Sequence, residues 1–316
     1  MCEKNRQIPR CCRICGASHE SQTVRVDTVF GGGEEHNFWH CHNCDAVYLY
    51  PIPSIEEEAY FYKKEFEEFM AKRSGVERDW TNIKAHIRTN QDQVERRWGF
   101  LEKYLWPKMD LLEIGCSSGF MLNAFRDYGI DCTGIEPSGK FLEFLCQNKY
   151  IAYESLDELE SMEHEKRFDI IVHFFVFEHI RDPFSFLKRT LKLLKTGGRM
   201  VAEIPCVNDP LTSLYRIPAF EKFYWSIAHH YYYSPKSLSY ILDKLGLNYE
   251  LFSEQRYDLS NHITWMMEGK PGGQGKFNHV FSQKLIEQYR KDLKEKWLCD
   301  TIFVVIDNDQ SIEDED

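Results

Sequence analysis

A chain of 316 residues, 43% of them hydrophobic and 15% aromatic, is long enough for one large domain and a small one. Its 50 acidic and 39 basic side chains give a formal net charge of −11, which argues against a protein that binds nucleic-acid backbones along a basic stripe. The sequence has no apolar run long enough to cross a bilayer, and its opening residues lack the apolar core of a secretory signal, so we expect a cytoplasmic protein.

Four cysteines near the amino terminus form two Cys-x-x-Cys pairs. They are Cys12, Cys15, Cys41 and Cys44. Each pair forms a tight turn that directs two thiolates to one point, and four thiolates make a closed tetrahedral zinc site. Residues 1–53 are therefore predicted to form a zinc ribbon, whose metal is structural because no coordination position stays open. Cys11, His40 and His42 are alternative ligands, but they do not give two symmetric turns.

Helical segments are predicted in residues 54–108, after the ribbon. Ser54 and Glu57 have the spacing of a helix capping box, and a second helix is predicted from about Asp79 to Tyr104. We expect these helices to join the ribbon to the next domain and to lie over its ligand.

The stretch Leu111–Phe120, with the sequence LLEIGCSSGF, is the most informative part of the chain. An apolar run ends near the acid Glu113, and a turn of small residues leads into a helix-like segment. A second strand-like segment, IDCTGIE, ends in another acid, Glu136. This is the layout of a nucleotide-binding βαβ unit, in which the second acid accepts ribose hydroxyls.

Two details of this turn indicate which nucleotide it binds. The dinucleotide fingerprint G-x-G-x-x-G is incomplete, because Phe120 stands where the third glycine is required. Glu113, two residues before Gly115, suits a cationic ligand better than a pyrophosphate. S-adenosylmethionine (SAM) has that character, with an ammonium, a sulfonium and a ribose. A nicotinamide-dependent Rossmann enzyme is the alternative.

Strands and helices alternate through most of residues 109–308, which predicts a parallel sheet with helices on both faces. The late strand-like segments are compatible with an antiparallel hairpin at the sheet edge. Residues 309–316 are predicted to form an acidic, solvated tail.

With these motifs, the chain resembles class I SAM-dependent methyltransferases. More narrowly, it is similar to a bacterial branch that carries an amino-terminal zinc-binding module and often acts on sugars or other small metabolites. The resemblance depends on the cysteine pairs, LLEIGCSSGF, GIEPS, FDIIVHFFVFEHIRDP and HHYYYSPKSLSYIL. It implies an α/β fold, with a Rossmann-like SAM methyltransferase sheet and an amino-terminal zinc ribbon, and two cofactors, SAM and structural Zn²⁺.

The resemblance also implies which residues contact SAM. The expected cofactor-binding residues are Glu113, Gly115, Cys116, Ser117, Gly119, Glu136, Pro137, Ser155, Leu156, Phe174 and Phe175. Glu113 would contact the methionine part, Glu136 the ribose, and Ser155 with Leu156 the adenine edge. Ser117 departs from the family, which commonly has glycine at this position.

Methyl transfer to a hydroxyl requires that the hydroxyl lose its proton, and histidine has a suitable pKa for a general base. His179, His229 and His230 are the candidate catalytic residues. For His179 the alternative is a structural hydrogen-bonding role. Related sugar C-methyltransferases have a Tyr-x-Glu-His cluster near residues 227–231, and its glutamate is absent here, which favours an oxygen or nitrogen acceptor.

The expected function is therefore O-methylation of a sugar or related small metabolite, including nucleotide- or lipid-linked glycans. A non-catalytic scaffold with a vestigial methyltransferase fold is a second alternative to the enzyme. A nucleic-acid methyltransferase is disfavoured, because the chain lacks an Asn-Pro-Pro-Tyr-type motif and a basic surface signal. The sequence predicts no particular oligomeric state.

Overall fold

The computed structural model describes residues 7–74 and 82–309. These residues form two compact units. The first contains the described residues up to Ile52, together with Phe177–Phe184 and Glu203–Val304. The second contains Pro53–Val176, Ser185–Ala202 and the described residues from Val305 onward.

Strands and helices alternate through the central part of the chain, as the sequence predicts. The strands are β1 (Gln22–Val26), β2 (Asn37–Cys41), β3 (Val47–Tyr50), β4 (Asp110–Ile114), β5 (Asp131–Ile135), β6 (Ile151–Tyr153), β7 (Phe168–Phe174), β8 (Leu194–Pro205), β9 (Tyr231–Tyr232), β10 (Asn248–Glu254) and β11 (Thr301–Asp307). The α-helices are α1 (Ile55–Tyr60), α2 (Phe66–Ser74), α3 (Ile83–Thr89), α4 (Gln91–Leu101), α5 (Phe120–Asp127), α6 (Gly139–Gln147), α7 (Leu156–Met162), α8 (Pro183–Leu191), α9 (Pro210–Ser213), α10 (Pro218–Tyr224), α11 (Pro235–Lys244), α12 (Leu259–Glu268) and α13 (Gln283–Glu295). A π-helical turn, Phe61–Glu65, joins α1 to α2, and short 3₁₀ turns cover His19–Ser21, Glu102–Tyr104 and Phe177–His179.

The larger sheet has seven strands in the order β10-β11-β8-β7-β4-β5-β6. β4 pairs in parallel with β5 on one side and with β7 on the other, and β5 pairs in parallel with β6. The strand order therefore reverses next to β4, and ligands of such sheets bind at the carboxyl end of the strands beside this switch point. This sheet confirms the predicted Rossmann-like fold class.

The smaller sheet, in the first unit, has the order β1-β2-β3-β9 with antiparallel pairing. Its fourth strand comes from far along the chain, because Val47 of β3 pairs with Tyr232 of β9. The ring of Phe38 lies 5.3 Å from that of Trp225 and 5.1 Å from that of Tyr232, measured between centroids. Ribbon strands and later residues thus share one apolar core. The division of the chain into residues 1–53, 54–108, 109–308 and 309–316 stays a prediction.

Local sequence motifs predict the starts of two helices correctly. The side chain of Ser54 accepts the N–H of Glu57, whose carboxylate accepts the N–H of Ser54, so the predicted capping box is present. Ser234 caps α11 in the same way with Ser237. The start of the helix predicted from Asp79 lies outside the described residues, as does the predicted tail beyond Asp309.

Two boundaries that the sequence predicts are wrong. A Gly-Gly pair after a helical segment predicts the end of that helix, but Gly197 and Gly198 lie within β8, where they exchange backbone hydrogen bonds with Asn308. The sequence from Phe277 to Trp297 predicts one helix, but the helix begins at Gln283, after its N-cap Ser282. None of the helices in the described parts of the chain is long and apolar enough to cross a membrane.

Candidate active site

The loop that follows β4 has a backbone that only small residues can follow. Gly115 and Gly119 have φ values of 73° and 75°, and Ser117 lies between them at 52°. A Cβ atom at Gly115 would lie 2.5 Å from Val176 Cγ2. The N–H of Gly115 donates to the carbonyl of Ile135 at 2.8 Å, which fixes the loop against the end of β5. The left-handed φ of Ser117 explains why glycine is common at this position in the family.

Glu136 joins the loops that follow β4 and β5. Its Oε2 accepts the backbone N–H of Ser117 at 2.6 Å, and its Oε1 accepts that of Ser138 at 2.9 Å. Burial raises the pKa of Glu136 to about 7, although the two N–H donors act in the opposite direction. The carboxylate has further lone pairs beyond these two bonds, so it can also accept hydrogen bonds from the hydroxyl groups of a ligand.

Glu113 is the second buried carboxylate of this site, with 2% of its surface exposed. Burial raises its pKa to about 8; the charge of Arg97 opposes this shift and that of Glu136 adds to it. Within the described parts of the chain, Oε2 of Glu113 and Oγ of Ser117 have no hydrogen-bond partner. Buried polar atoms in native proteins are normally hydrogen-bonded. A ligand that donates hydrogen bonds or carries positive charge therefore fits beside Glu113 and Ser117. SAM has both properties.

Side chains from the preceding helices contact both loops, and none of them belongs to a recognisable sequence motif. Glu67 of α2 accepts a short hydrogen bond from the hydroxyl of Ser138. Nδ1 of His86 in α3 lies 2.8 Å from the hydroxyl of Ser118. All four side chains are buried. Residues of these helices therefore contact the loops after β4 and β5, and no spacing in the sequence marks Glu67 or His86 for this role.

The end of β7 presents two phenylalanines beside a buried arginine. The guanidinium of Arg97, on α4, lies 4.3 Å from the ring centroid of Phe174 and 5.7 Å from that of Phe175. Phe175 has a φ of 58°, which is an outlier for a bulky residue and is typical of functional loops. Phe174 and Phe175, which the family resemblance predicts on the sulfonium side of the cofactor, thus lie next to a cation that no sequence motif indicates.

The remaining predicted cofactor residues differ in their burial and in their contacts. The thiol of Cys116 is buried, and a Cβ atom at Gly134 would meet its Sγ at 2.6 Å, so this side chain packs against the sheet. Pro137 is exposed. Ser155 caps α7 by accepting the N–H of Glu158, and Leu156 is the first residue of that helix. Because β6 pairs in parallel with β5, Ser155 follows the strand end next to Glu136.

The three predicted catalytic histidines lie close together in the first unit. Nδ1 of His179 is 2.7 Å from the carbonyl oxygen of Ala228, and its ring centroid is 4.7 Å from that of His229. Nδ1 of His230 is 3.4 Å from a guanidinium nitrogen of Arg13, which can only donate, so this nitrogen is the acceptor. The N–H of His230 donates to the carbonyl oxygen of Glu178 at 2.7 Å.

The four predicted zinc ligands also come together in the first unit. Sγ of Cys12 lies 3.7 Å from that of Cys44, and Sγ of Cys15 lies 3.6 Å from that of Cys41. All four sulfur atoms lie within 4.8 Å of one another. A tetrahedral Zn²⁺ with Zn–S distances of about 2.3 Å separates its sulfurs by roughly 3.8 Å, so the donor set fits zinc.

The alternative zinc ligands are engaged elsewhere or face solvent. Nε2 of His40 lies 2.9 Å from Oδ1 of Asp45, and Nε2 of His42 lies 3.1 Å from the hydroxyl of Thr23. Cys11 is exposed. The geometry favours the four cysteines.

Comparison with known proteins identifies the class. A family model described as a methyltransferase domain matches residues 84–251, more than half of the chain, and the chain belongs to this family. The predicted class, a SAM-dependent methyltransferase with a Rossmann-like sheet, is thereby confirmed.

Several proteins of similar sequence are named as O-methyltransferases. The chain is 35% identical over 96 residues to a ubiquinone biosynthesis O-methyltransferase from Nitrobacter winogradskyi. The aligned residues cover 29% of this chain and 37% of that protein. The chain is 27% identical over 139 residues to the protein of the same name from Coxiella burnetii, covering 42% and 59%. The chain thus spans about two fifths to three fifths of the length of these relatives.

Two solved structures also resemble the chain. A SAM-dependent methyltransferase from Archaeoglobus fulgidus gives a TM-score of 0.46 at 20% identity, covering 68% of this chain and 93% of that one. The plantazolicin methyltransferase BpumL, solved with a monoazolic desmethyl-plantazolicin analogue and S-adenosylhomocysteine, gives 0.46 at 15% identity, covering 81% and 99%.

Proposed function

We propose that this protein transfers a methyl group from SAM to a hydroxyl oxygen of a sugar or a related small metabolite. The observation that carries the proposal is the pair of buried carboxylates, Glu113 and Glu136, at the ends of neighbouring parallel strands. They lie at the switch point of the sheet, where such folds bind nucleotides. The names of the similar proteins, which are O-methyltransferases, support oxygen as the acceptor atom.

Each carboxylate has a defined task in this proposal. Glu136 holds the two loops through Ser117 and Ser138 and accepts the ribose hydroxyls with its remaining lone pairs. Glu113 pairs with the ammonium of the methionine part, which would satisfy its Oε2. When bound, SAM supplies a methyl group that its sulfonium has already activated. The protein's main contribution is therefore to align the acceptor and to exclude water.

Phe174, Phe175 and Arg97 are proposed to form the wall on the sulfonium side. The aromatic faces provide an apolar surface with negative electrostatic potential, which is compatible with a cationic centre. Arg97 already lies over the ring of Phe174, so it fixes the orientation of that ring. Ser155 and Leu156, after β6, are proposed to border the adenine.

When the acceptor oxygen bonds to the methyl carbon, the carbon–sulfur bond would break, its electron pair would go to sulfur, and S-adenosylhomocysteine would leave. The acceptor hydroxyl would lose its proton in this step, and a base must take that proton. His179, His229 and His230 remain the candidates. The carbonyl of Ala228 can only accept, so Nδ1 of His179 carries a proton, and in the neutral imidazole Nε2 is the basic nitrogen. Nδ1 of His230 is already engaged by the guanidinium of Arg13, at 3.4 Å.

The test is a methyl-transfer assay with isotope-labelled SAM and zinc-replete protein against nucleotide sugars, free sugars and phenolic metabolites. We expect label in a product whose added mass matches one methyl group, attached through oxygen. The matched variants are Glu136→Gln at the site and Glu143→Gln on the exposed surface of α6. Absence of SAM binding to the intact protein in calorimetry would exclude the enzyme and favour a non-catalytic scaffold.

A further inference from the structure

We propose that Glu178, His179 and His229 bind a divalent metal ion at a second site in the first unit, separate from the four cysteines. Each residue offers one ligand atom, and these three atoms lie within 4.8 Å of one another. Two imidazoles and one carboxylate are a ligand set that Zn²⁺ and Fe²⁺ accept in proteins. The proposal concerns metal binding and does not depend on the proposed methyl transfer.

Two segments that are distant in sequence meet to form this cluster. Glu178 and His179 belong to the 3₁₀ turn Phe177–His179, and His229 lies just before β9. The N–H of His230 donates to the carbonyl oxygen of Glu178 at 2.7 Å, and the N–H of His229 donates to that of Ser226 at 3.0 Å. These backbone bonds hold the three ligand-bearing residues in register without using any of their side-chain ligand atoms.

The hydrogen bond of His179 is the one that a metal ligand needs. Its Nδ1 lies 2.7 Å from the carbonyl oxygen of Ala228, which can only accept, so Nδ1 carries a proton. In the neutral imidazole, Nε2 is then the nitrogen that can bind a metal. Metal-bound histidines usually have their second nitrogen hydrogen-bonded in this way to a carbonyl or carboxylate, which fixes the ring orientation.

The spacing of the ligand atoms is wider than a hydrogen bond and close to that of a metal site. Nε2 of His179 lies 3.9 Å from Oε1 of Glu178, beyond the range of a hydrogen bond. Two ligand atoms on one tetrahedral zinc ion are roughly 3.3–3.6 Å apart. The rings of His179 and His229 are almost perpendicular, at 85°, so their edges converge without stacking. Side-chain rotations that move each ligand atom by less than about 1 Å would complete the site.

Burial would shield an ion at this position from water. Glu178 is 1% and His229 is 6% exposed, so both ligand-bearing side chains lie inside the first unit.

Three protein ligands leave at least one coordination position open, in contrast to the closed four-cysteine site. That position can take the oxygen of a water or of an alcohol, whose pKa the metal lowers. If this site holds a metal, His179 and His229 act as its ligands, and His230 alone remains from the proposed bases.

The test uses untagged full-length protein produced in minimal medium with Co²⁺ as the supplied divalent metal. Elemental analysis is expected to give two cobalt ions per chain, and the absorption spectrum should show intense thiolate charge-transfer bands from one of them. Glu178→Gln and His229→Gln should each reduce the content to one ion per chain and leave the thiolate bands unchanged. His230→Gln, which removes an adjacent buried imidazole outside the cluster, should retain two ions.

One cobalt ion per chain in the wild-type protein, with the thiolate bands at full intensity, would overturn the proposal, and so would two ions in both cluster variants. The wild-type count decides the question even if the variants do not fold. SAM binding measured by calorimetry on the same samples reports on the proposed function separately, because Glu113 and Glu136 are not part of the cluster.

Discussion

The carboxylate of Glu136 accepts the backbone N–H of Ser117 at 2.6 Å, and so connects the acid after β5 to the glycine loop after β4. Nineteen residues separate the two positions in the chain, and parallel pairing of β4 with β5 brings them to one sheet edge. The loop conformation and the acid that we propose to bind the ribose are therefore coupled, and changes in either should affect the other.

Substitution of Glu136 tests this coupling directly. Glu136→Gln removes the charge and places an amide N–H₂ opposite one of two backbone donors. A hydrogen bond to a charged group contributes about 1.5–3 kcal/mol, so we expect the dissociation constant for SAM to rise roughly tenfold to a hundredfold. Isothermal titration calorimetry measures this change. Glu143→Gln, at an exposed position of α6, is the control, and equal affinity in both variants would contradict the assignment.

The affinity for SAM should depend on pH. Burial raises the pKa of Glu136 to about 7 and that of Glu113 to about 8 from an ordinary 4.5, so both acids hold protons in the ligand-free protein at pH 6. Binding an ammonium and ribose hydroxyls requires carboxylates, so SAM binding should release protons. Affinity should then increase by up to about tenfold per pH unit for each acid below its pKa and level off above pH 8.

The same shifts predict how the stability of the ligand-free protein changes with pH. A raised folded-state pKa contributes stability below the unfolded value of 4.5, and this contribution is lost as pH rises through 7 to 8. SAM binds the ionised acids, so thermal unfolding across this window should show a larger stabilisation by SAM at pH 8 than at pH 6.

Calorimetric titration at pH 6 in buffers of different ionisation enthalpy would count the protons that SAM binding releases. A count of zero would refute the raised pKa values.

Gly115 and Gly99 form a matched pair for testing the loop. Gly115→Ala places a Cβ 2.5 Å from Val176 Cγ2 at a φ of 73°, which should destabilise the protein by about 1–3 kcal/mol and weaken SAM binding. Gly99 lies in the exposed part of α4 with no atom near its added Cβ, so Gly99→Ala should stabilise the protein by about 0.5–1 kcal/mol. Chemical denaturation measures the change in the free energy of unfolding for each variant, and the two changes must have opposite signs.

The metal of the ribbon should be required for its local structure. Cys44→Ser removes one of four thiolates, so we expect loss of stoichiometric zinc and partial unfolding around β1–β3, detected by circular dichroism of the aromatic bands. Cys11→Ser should leave both readouts unchanged, because its thiol is exposed and lies outside the cluster. Retention of zinc by Cys44→Ser with loss in Cys11→Ser would reverse the ligand assignment.

Features encoded by neighbouring residues could be predicted from the sequence. The capping pair Ser54 and Glu57 depends on a spacing of three residues, and the turn between β4 and α5 depends on its own small residues. The four cysteines and the acids Glu113 and Glu136 are named from short local motifs, and their roles stay predictions.

Features that depend on contacts between distant segments could not be predicted. Gly197 and Gly198 suggest the end of a helix locally, but pairing with Asn308 incorporates them into β8. Glu67 and His86 look like ordinary helix residues until the fold places them against Ser138 and Ser118. Tertiary contacts determine these assignments, and no local pattern reports them.

The pairing of Val47 with Tyr232 has a consequence for the protein as it is synthesised. At ribosomal rates of about 5–20 residues per second, β9 leaves the ribosome on the order of ten to forty seconds after β3. During that interval the edge of β3 lacks its partner strand, and Phe38 lacks the rings of Trp225 and Tyr232 that cover it in the folded protein. Strands β1, β2 and β3 of the nascent chain therefore lack these contacts until the carboxyl-terminal third of the chain arrives.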